Sequence, residues 1–117
     1  MRPGLIIAVV AGTIAQVAMV LAGHVAPAVA QLFAIGGTGI SLLAGLLFAA
    51  LARPSWPSAA VGGALAGGLC AALGIGLSVA LGDVPWTLLL LGPAASTVAG
   101  LLGGLAGRVV FRPSGAA

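Results

Sequence analysis

The chain has 117 residues, of which 62% are hydrophobic and only 4% charged. A soluble domain carries roughly 25% charged residues, so an ordinary water-soluble fold is excluded, and the mean hydropathy of +1.32 agrees. The net charge of +3 comes from four arginines against a single acid. These arginines are too few and too scattered for a nucleic-acid face, which needs clustered basic side chains, usually with aromatics.

A bilayer span needs about 20 apolar residues, and the chain holds four such runs with almost nothing between them. The first follows Met1-Arg2-Pro3 and covers about Gly4 to Gly23. Ala28-Val29-Ala30 offers a small-residue cleavage site after it. The run is longer than the roughly 7–15 apolar residues of a secretory signal, so it reads as a retained helix. Gly23-His24-Val25-Ala26-Pro27 is the first turn, and a second helix is expected from Pro27 to Ala52, with Gly36-Gly37 as a place to bend. Arg53-Pro-Ser-Trp-Pro-Ser58 breaks the chain sharply. A glycine-rich third helix follows from about Ser58 to Leu81. In the third turn, Gly82-Asp83-Val-Pro-Trp86, Asp83 is expected to cap a helix that starts near Pro85 and ends near Val110, with Pro93 as a kink. Trp56 and Trp86 suit the two headgroup levels.

Small residues recur every fourth position in two of these runs. Gly37, Ser41, Gly45 and Ala49 form one row, closed by Arg53; Gly92, Ser96, Gly100 and Gly104 form another, closed by Arg108. Four residues is just over one helical turn, so each row is a single stripe along which another helix backbone can approach. Ala44-Gly45-Leu46-Leu47 is answered by Ala99-Gly100-Leu101-Leu102 at the same offset. The expected fold is therefore an all-α integral membrane protein with four transmembrane helices and short loops. It forms a single membrane domain built from two parallel hairpins, 1–55 and 56–117. Arg2, Arg53, Arg108 and Arg112 all fall on one side of such a chain. By the positive-inside rule that side, with both termini, is cytoplasmic, and His24 and Asp83 lie outside. A bacterial cytoplasmic membrane is the expected location.

Intramembrane ionisable side chains mark proton and ion pathways, and none falls at mid-depth here. The glycine-rich hairpins resemble in outline the proton-carrying ring subunits of rotary ATP synthases, but those rely on a buried carboxylate. The proton-coupled small multidrug transporters are similar in size and helix number, but use a buried glutamate in the first helix. This chain has Gln16 near that depth and no glutamate. The stretch Gly37-Thr-Gly-Ile-Ser-Leu-Leu-Ala-Gly-Leu-Leu-Phe48 resembles the glycine-serine segment of the small four-helix family that includes the plastid fatty-acid exporters. That family's arginine-containing segment between its later helices has no counterpart here.

Gln16, with Thr13 on nearly the same face, is a candidate for a solute contact or an interhelical hydrogen bond. Ser41 and Ser96 are either a paired polar lining or small packing residues. His24 and Asp83 are either a pH-sensitive outer pair or two ordinary turn residues. Cys70, the single cysteine, reads as a small buried hydrophobe, and no spacing of ligands implies a metal or cofactor. With one acid and no nucleophile–base constellation, an enzyme is not expected. The leading expectation is an accessory, assembly or interaction subunit of a larger membrane complex, partnered by lipid and by other membrane chains or copies of itself. The alternative is a small homo-oligomeric transporter or channel for an apolar or uncharged solute, without proton coupling and lined by Thr13, Gln16, Ser41 and Ser96.

Overall fold

The computed structural model describes residues 2–30 and 32–111. Five helices follow in order: α1 (Arg2–Val25), the single-turn α2 (Pro27–Ala30), α3 (Phe33–Ala52), α4 (Trp56–Ala80) and α5 (Leu88–Val110). Four of them contain apolar stretches of 18 to 25 residues, long enough to cross a membrane. At 1.5 Å per residue these measure about 27–38 Å, against a hydrocarbon core of about 30 Å.

α1 and α5 both pack against α3 and α4, which form the middle of the bundle. Gly4 lies beside Ala52, so the start of α1 meets the end of α3. Arg2, Arg53 and Arg108 therefore gather at one end of a bundle 50 Å long, and His24 and Asp83 at the other. Arg112 lies outside the described residues. At the arginine end Phe48 is fully buried within a cluster of Ala8, Ala44, Ala66 and Cys70. Its ring occupies the space that a side chain on Gly62 would need.

Three expectations require correction. The helix expected from Pro27 to Ala52 is broken: α2 ends at Ala30 and α3 starts at Phe33, with Leu32 at its N-cap. Gln31, the one strongly polar residue of this run, falls between the two helices in sequence, a signal that the reading of one continuous helix passed over. His24 is not in a turn but in the last turn of α1, which continues to Val25.

Asp83, finally, does not cap the last helix. Thr87 holds that N-cap position, without a side-chain bond. The amides of Leu88, Leu89 and Leu90 reach back to the carbonyls of Pro85, Trp86 and Thr87, so a tight i→i+3 turn precedes α5. Asp83 instead belongs to the end of α4. The Gly82 amide donates to the Val79 carbonyl at 3.0 Å and the Asp83 amide to the Ser78 carbonyl at 3.0 Å. With Gly82 at φ +77 this is a Schellman ending. Only a glycine takes that left-handed backbone without a steric cost.

α3 ends in a similar way but with the less suitable residue. Arg53 caps it at φ 46, its amide bonded to the Ala49 carbonyl at 2.9 Å. Pro54 follows and prevents the helix from continuing. Inside α5, Pro93 lacks an amide hydrogen, and its own carbonyl accepts a 2.7 Å bond from Thr97 Oγ1.

Candidate functional site

A buried polar side chain in an apolar bundle needs partners, and Gln16 has them on two other helices. Its Nε2 donates to the Gly37 carbonyl at 3.1 Å and to Ser41 Oγ at 3.3 Å. Ser41 Oγ in turn donates to the Gly67 carbonyl at 3.1 Å. Cys70 Sγ completes the group, 3.8 Å from Gln16 Nε2 and 3.3 Å from the Gly67 carbonyl. This cluster ties α1, α3 and α4 together near mid-length. Interhelical hydrogen bonds of this kind contribute about 0.5–2 kcal/mol in lipid. Among the described residues Gln16 Oε1 has no hydrogen-bond partner.

On the His24–Asp83 side of this cluster the helices separate around a cavity of about 460 Å³. Gln16 lies at one end and Val84 of the α4–α5 loop at the other. Its walls are largely apolar, including Met19, Val20, Ile75, Leu88 and Leu91. The polar exceptions are Gln16, Thr38, Ser78 and Ser96, and among the described residues no charged one lines it. Ser78 is 2% exposed, and among the described residues its hydroxyl has no hydrogen-bond partner. Small-molecule sites of about 300–1,000 Å³ have this character, apolar walls with a few polar anchors.

The loop at the far end of the cavity is fastened to α1. His24 Nδ1 lies 2.8 Å and 3.0 Å from the two carboxylate oxygens of Asp83. The pair is partly exposed, at 44% and 25% of the side chains. The Schellman backbone fixes Asp83, and His24 stands one turn beyond Val20, so the contact joins the last turn of α1 to the end of α4.

The polar residues singled out from the sequence are thus distributed unequally. Gln16 and Ser96 line the cavity, and Ser41 supports Gln16 from behind. Thr13 does not line it, and its hydroxyl is buried without a partner among the described residues. The small-residue rows lie mainly between helices. Ser41, Gly45, Ala49, Ser96, Gly100 and Gly104 are buried, while Gly37 and Gly92 are partly exposed. A side chain on Gly45 would strike the Gly100 carbonyl, and one on Gly100 the Gly63 carbonyl. One on Gly104 would strike the Ala59 carbonyl. Gly37 faces Gln16 and Met19, and Gly92 faces Ile75.

Three features escaped the sequence reading. Ser78 looks like one more small residue in a glycine-rich helix, and only the burial of its hydroxyl sets it apart. Cys70 is buried, but it belongs to a polar cluster. The Arg108 guanidinium lies 4.7 Å from the centre of the Trp56 ring, a cation–π contact joining the end of α5 to the start of α4. Among the described residues no three His, Cys, Asp or Glu side chains come together as metal ligands. Compared with known proteins, the chain matches no family model, no curated protein and no solved structure.

Proposed function

We propose that the chain is an integral membrane protein that binds, and carries between the two leaflets or the two sides, an apolar or uncharged small molecule. The observation that carries this reading is the cavity of about 460 Å³, apolar, uncharged and anchored by Gln16 and Ser78. Membrane insertion is supported by the bundle's outer surface. Ile6, Ile14, Leu43, Leu73, Leu90 and Val98 are each more than half exposed. So much apolar surface around a whole bundle needs lipid to cover it.

The arginine end is read as cytoplasmic by the positive-inside rule. Cysteines introduced at positions 55 and 83 in a Cys70→Ala background test this. Labelling of position 55 from outside intact cells reverses the topology. The two small-residue rows serve as internal contact lines that let α3, α4 and α5 approach at backbone distance.

The carrier is not proton-coupled, because among the described residues no ionisable group lines the cavity. Proteoliposomes loaded with uncharged solutes of graded polarity, and with matched ammonium and carboxylate analogues, test the reading. The expected result is protein-dependent efflux of uncharged solutes alone, with no linked proton uptake. Efflux is lost in Ala95→Phe, which places a ring in the cavity. Identical efflux from empty and protein-containing vesicles contradicts it.

A second reading, an accessory subunit of a membrane complex, has one observation in its favour. A shallow groove of about 350 Å³ on the outside of α4 is lined by Ala60, Ala64 and Gly68, with Leu65, Leu69 and Leu101 beside them. A partner helix with a small-residue face fits such a groove. Co-purification of one stable partner from native membranes, lost in Ala64→Phe, supports this reading; elution of the chain alone counts against it.

A further inference from the structure

The cavity is not uniformly apolar, and its two anchors are specific in what they lack. Gln16 uses Nε2 for its neighbours and leaves Oε1, an acceptor, without a partner. Ser78 brings a hydroxyl, both donor and acceptor, also without a partner. Both residues are 2% exposed, and the Ser78 hydroxyl is buried without a partner among the described residues. Both line the same cavity. Gly74 packs against Gln16, so that a side chain there would strike Gln16 Cβ, and Ser78 stands one turn further along α4. Leaving a buried hydroxyl unpaired costs free energy that a bound group recovers.

Resting on the carrier reading above, we infer that the molecule held in this cavity is a neutral amphiphile with a single hydroxyl or primary amide on an apolar body. Its polar group donates to Gln16 Oε1 and accepts from the Ser78 hydroxyl, which satisfies both anchors with one functional group. The apolar body lies along Ile75, Leu88 and Leu91. A carboxylate or an ammonium does not fit. Neither charge has a counterion in the cavity, and a carboxylate faces the lone pairs of Gln16 Oε1. A plain hydrocarbon fits the walls but leaves both anchors unpaired.

The test is photolabelling of the full chain in nanodiscs with three diazirine probes of equal chain length, a primary alcohol, an alkane and a trimethylammonium, with adducts mapped by mass spectrometry. The alcohol is expected to label cavity peptides with an apparent affinity about threefold to tenfold above that of the alkane, the increment of one net hydrogen bond. The trimethylammonium probe does not label them. Ser78→Ala, which removes no hydrogen bond used in folding, narrows the gap between alcohol and alkane without closing it, because Gln16 Oε1 still accepts from the alcohol. Ala95→Phe blocks both. Equal labelling by alcohol and alkane in the unmodified protein, blocked by Ala95→Phe, overturns the headgroup assignment and leaves the carrier reading intact. Absence of any cavity adduct overturns both. Preferential labelling by the trimethylammonium probe overturns the exclusion of charge.

Discussion

The two halves of the bundle use glycine in opposite ways. In the arginine half, most glycines meet backbone: an added side chain on Gly45, Gly63, Gly100, Gly103 or Gly104 would strike a carbonyl of a neighbouring helix, while Gly62 meets the Phe48 ring and Gly107 the Ala49 side chain. In the His24 half, glycines meet side chains or nothing. Gly36 faces Met19, Gly74 faces Gln16, Gly92 faces Ile75, and Gly39 and Gly76 face open space. Backbone carbonyls cannot yield, whereas the end of a flexible side chain can turn aside. The first half is therefore shut by contacts that tolerate no added atom, and the second keeps the room that becomes the cavity. Glycine count alone, high in both halves, does not distinguish them.

The largest expected effect comes from removing the one large side chain that the closed half buries completely. Phe48→Ala leaves a void against Gly62, and we expect a loss of about 3–5 kcal/mol, read as a fall in the thermal midpoint in detergent. Gly100→Ala places a methyl against the Gly63 carbonyl, and overpacking of this kind costs about 1–3 kcal/mol. Gly76→Ala makes the same chemical change within the open half, where nothing lies within 4 Å. There the lower helix propensity of glycine dominates, and a gain of about 0.5–1 kcal/mol is expected. A loss of equal size at both positions, in one thermal assay, removes the distinction between the halves.

The fold was largely legible in the sequence, and the site only in part. Four long apolar helices follow from hydropathy because the chain holds four long apolar runs, and the spacing of the rows through Gly45 and Gly100 follows from helical periodicity. Gln16 could be recognised as needing a partner, although its partners, Gly37, Ser41 and Cys70, lie 21 to 54 residues away and depend on how the helices assemble. The cavity could not be read. It exists because α1 and α5 stand on opposite sides of the α3–α4 pair, and no local pattern encodes that separation. Asp83 illustrates a competition between local signals. An acid two residues before a proline resembles an N-cap, but Gly82 had already committed the backbone to ending α4, and the carboxylate was left free to reach His24.

Smaller effects sharpen the picture at the two ends. Gly82→Ala forces a side chain into the left-handed region at φ +77, and we expect a loss of about 1–2 kcal/mol with loosening of the loop over the cavity. Arg53→Gly acts at the matching position in the closed half, where an arginine already occupies φ 46. Relief of that backbone should stabilise the protein in detergent by about 1 kcal/mol, read from the same midpoint. Asp83→Asn weakens the hydrogen-bonded contact with His24. Because the pair is partly exposed, the change in stability should be about 0–1 kcal/mol, and amide exchange at 82–86 should report it better than global unfolding does.

The most direct test of the account compares the chemical access of the two halves in one experiment. In a Cys70→Ala background, single cysteines are introduced as Ser78→Cys in the cavity and Ala66→Cys in the closed core, and each is treated with methyl methanethiosulfonate, a small uncharged reagent, in nanodiscs. The account predicts rapid modification at position 78, slowed by a saturating long-chain primary alcohol, and no modification at position 66 while the protein is folded. Equal protection of both cysteines, or modification at 78 that no neutral amphiphile slows, contradicts it.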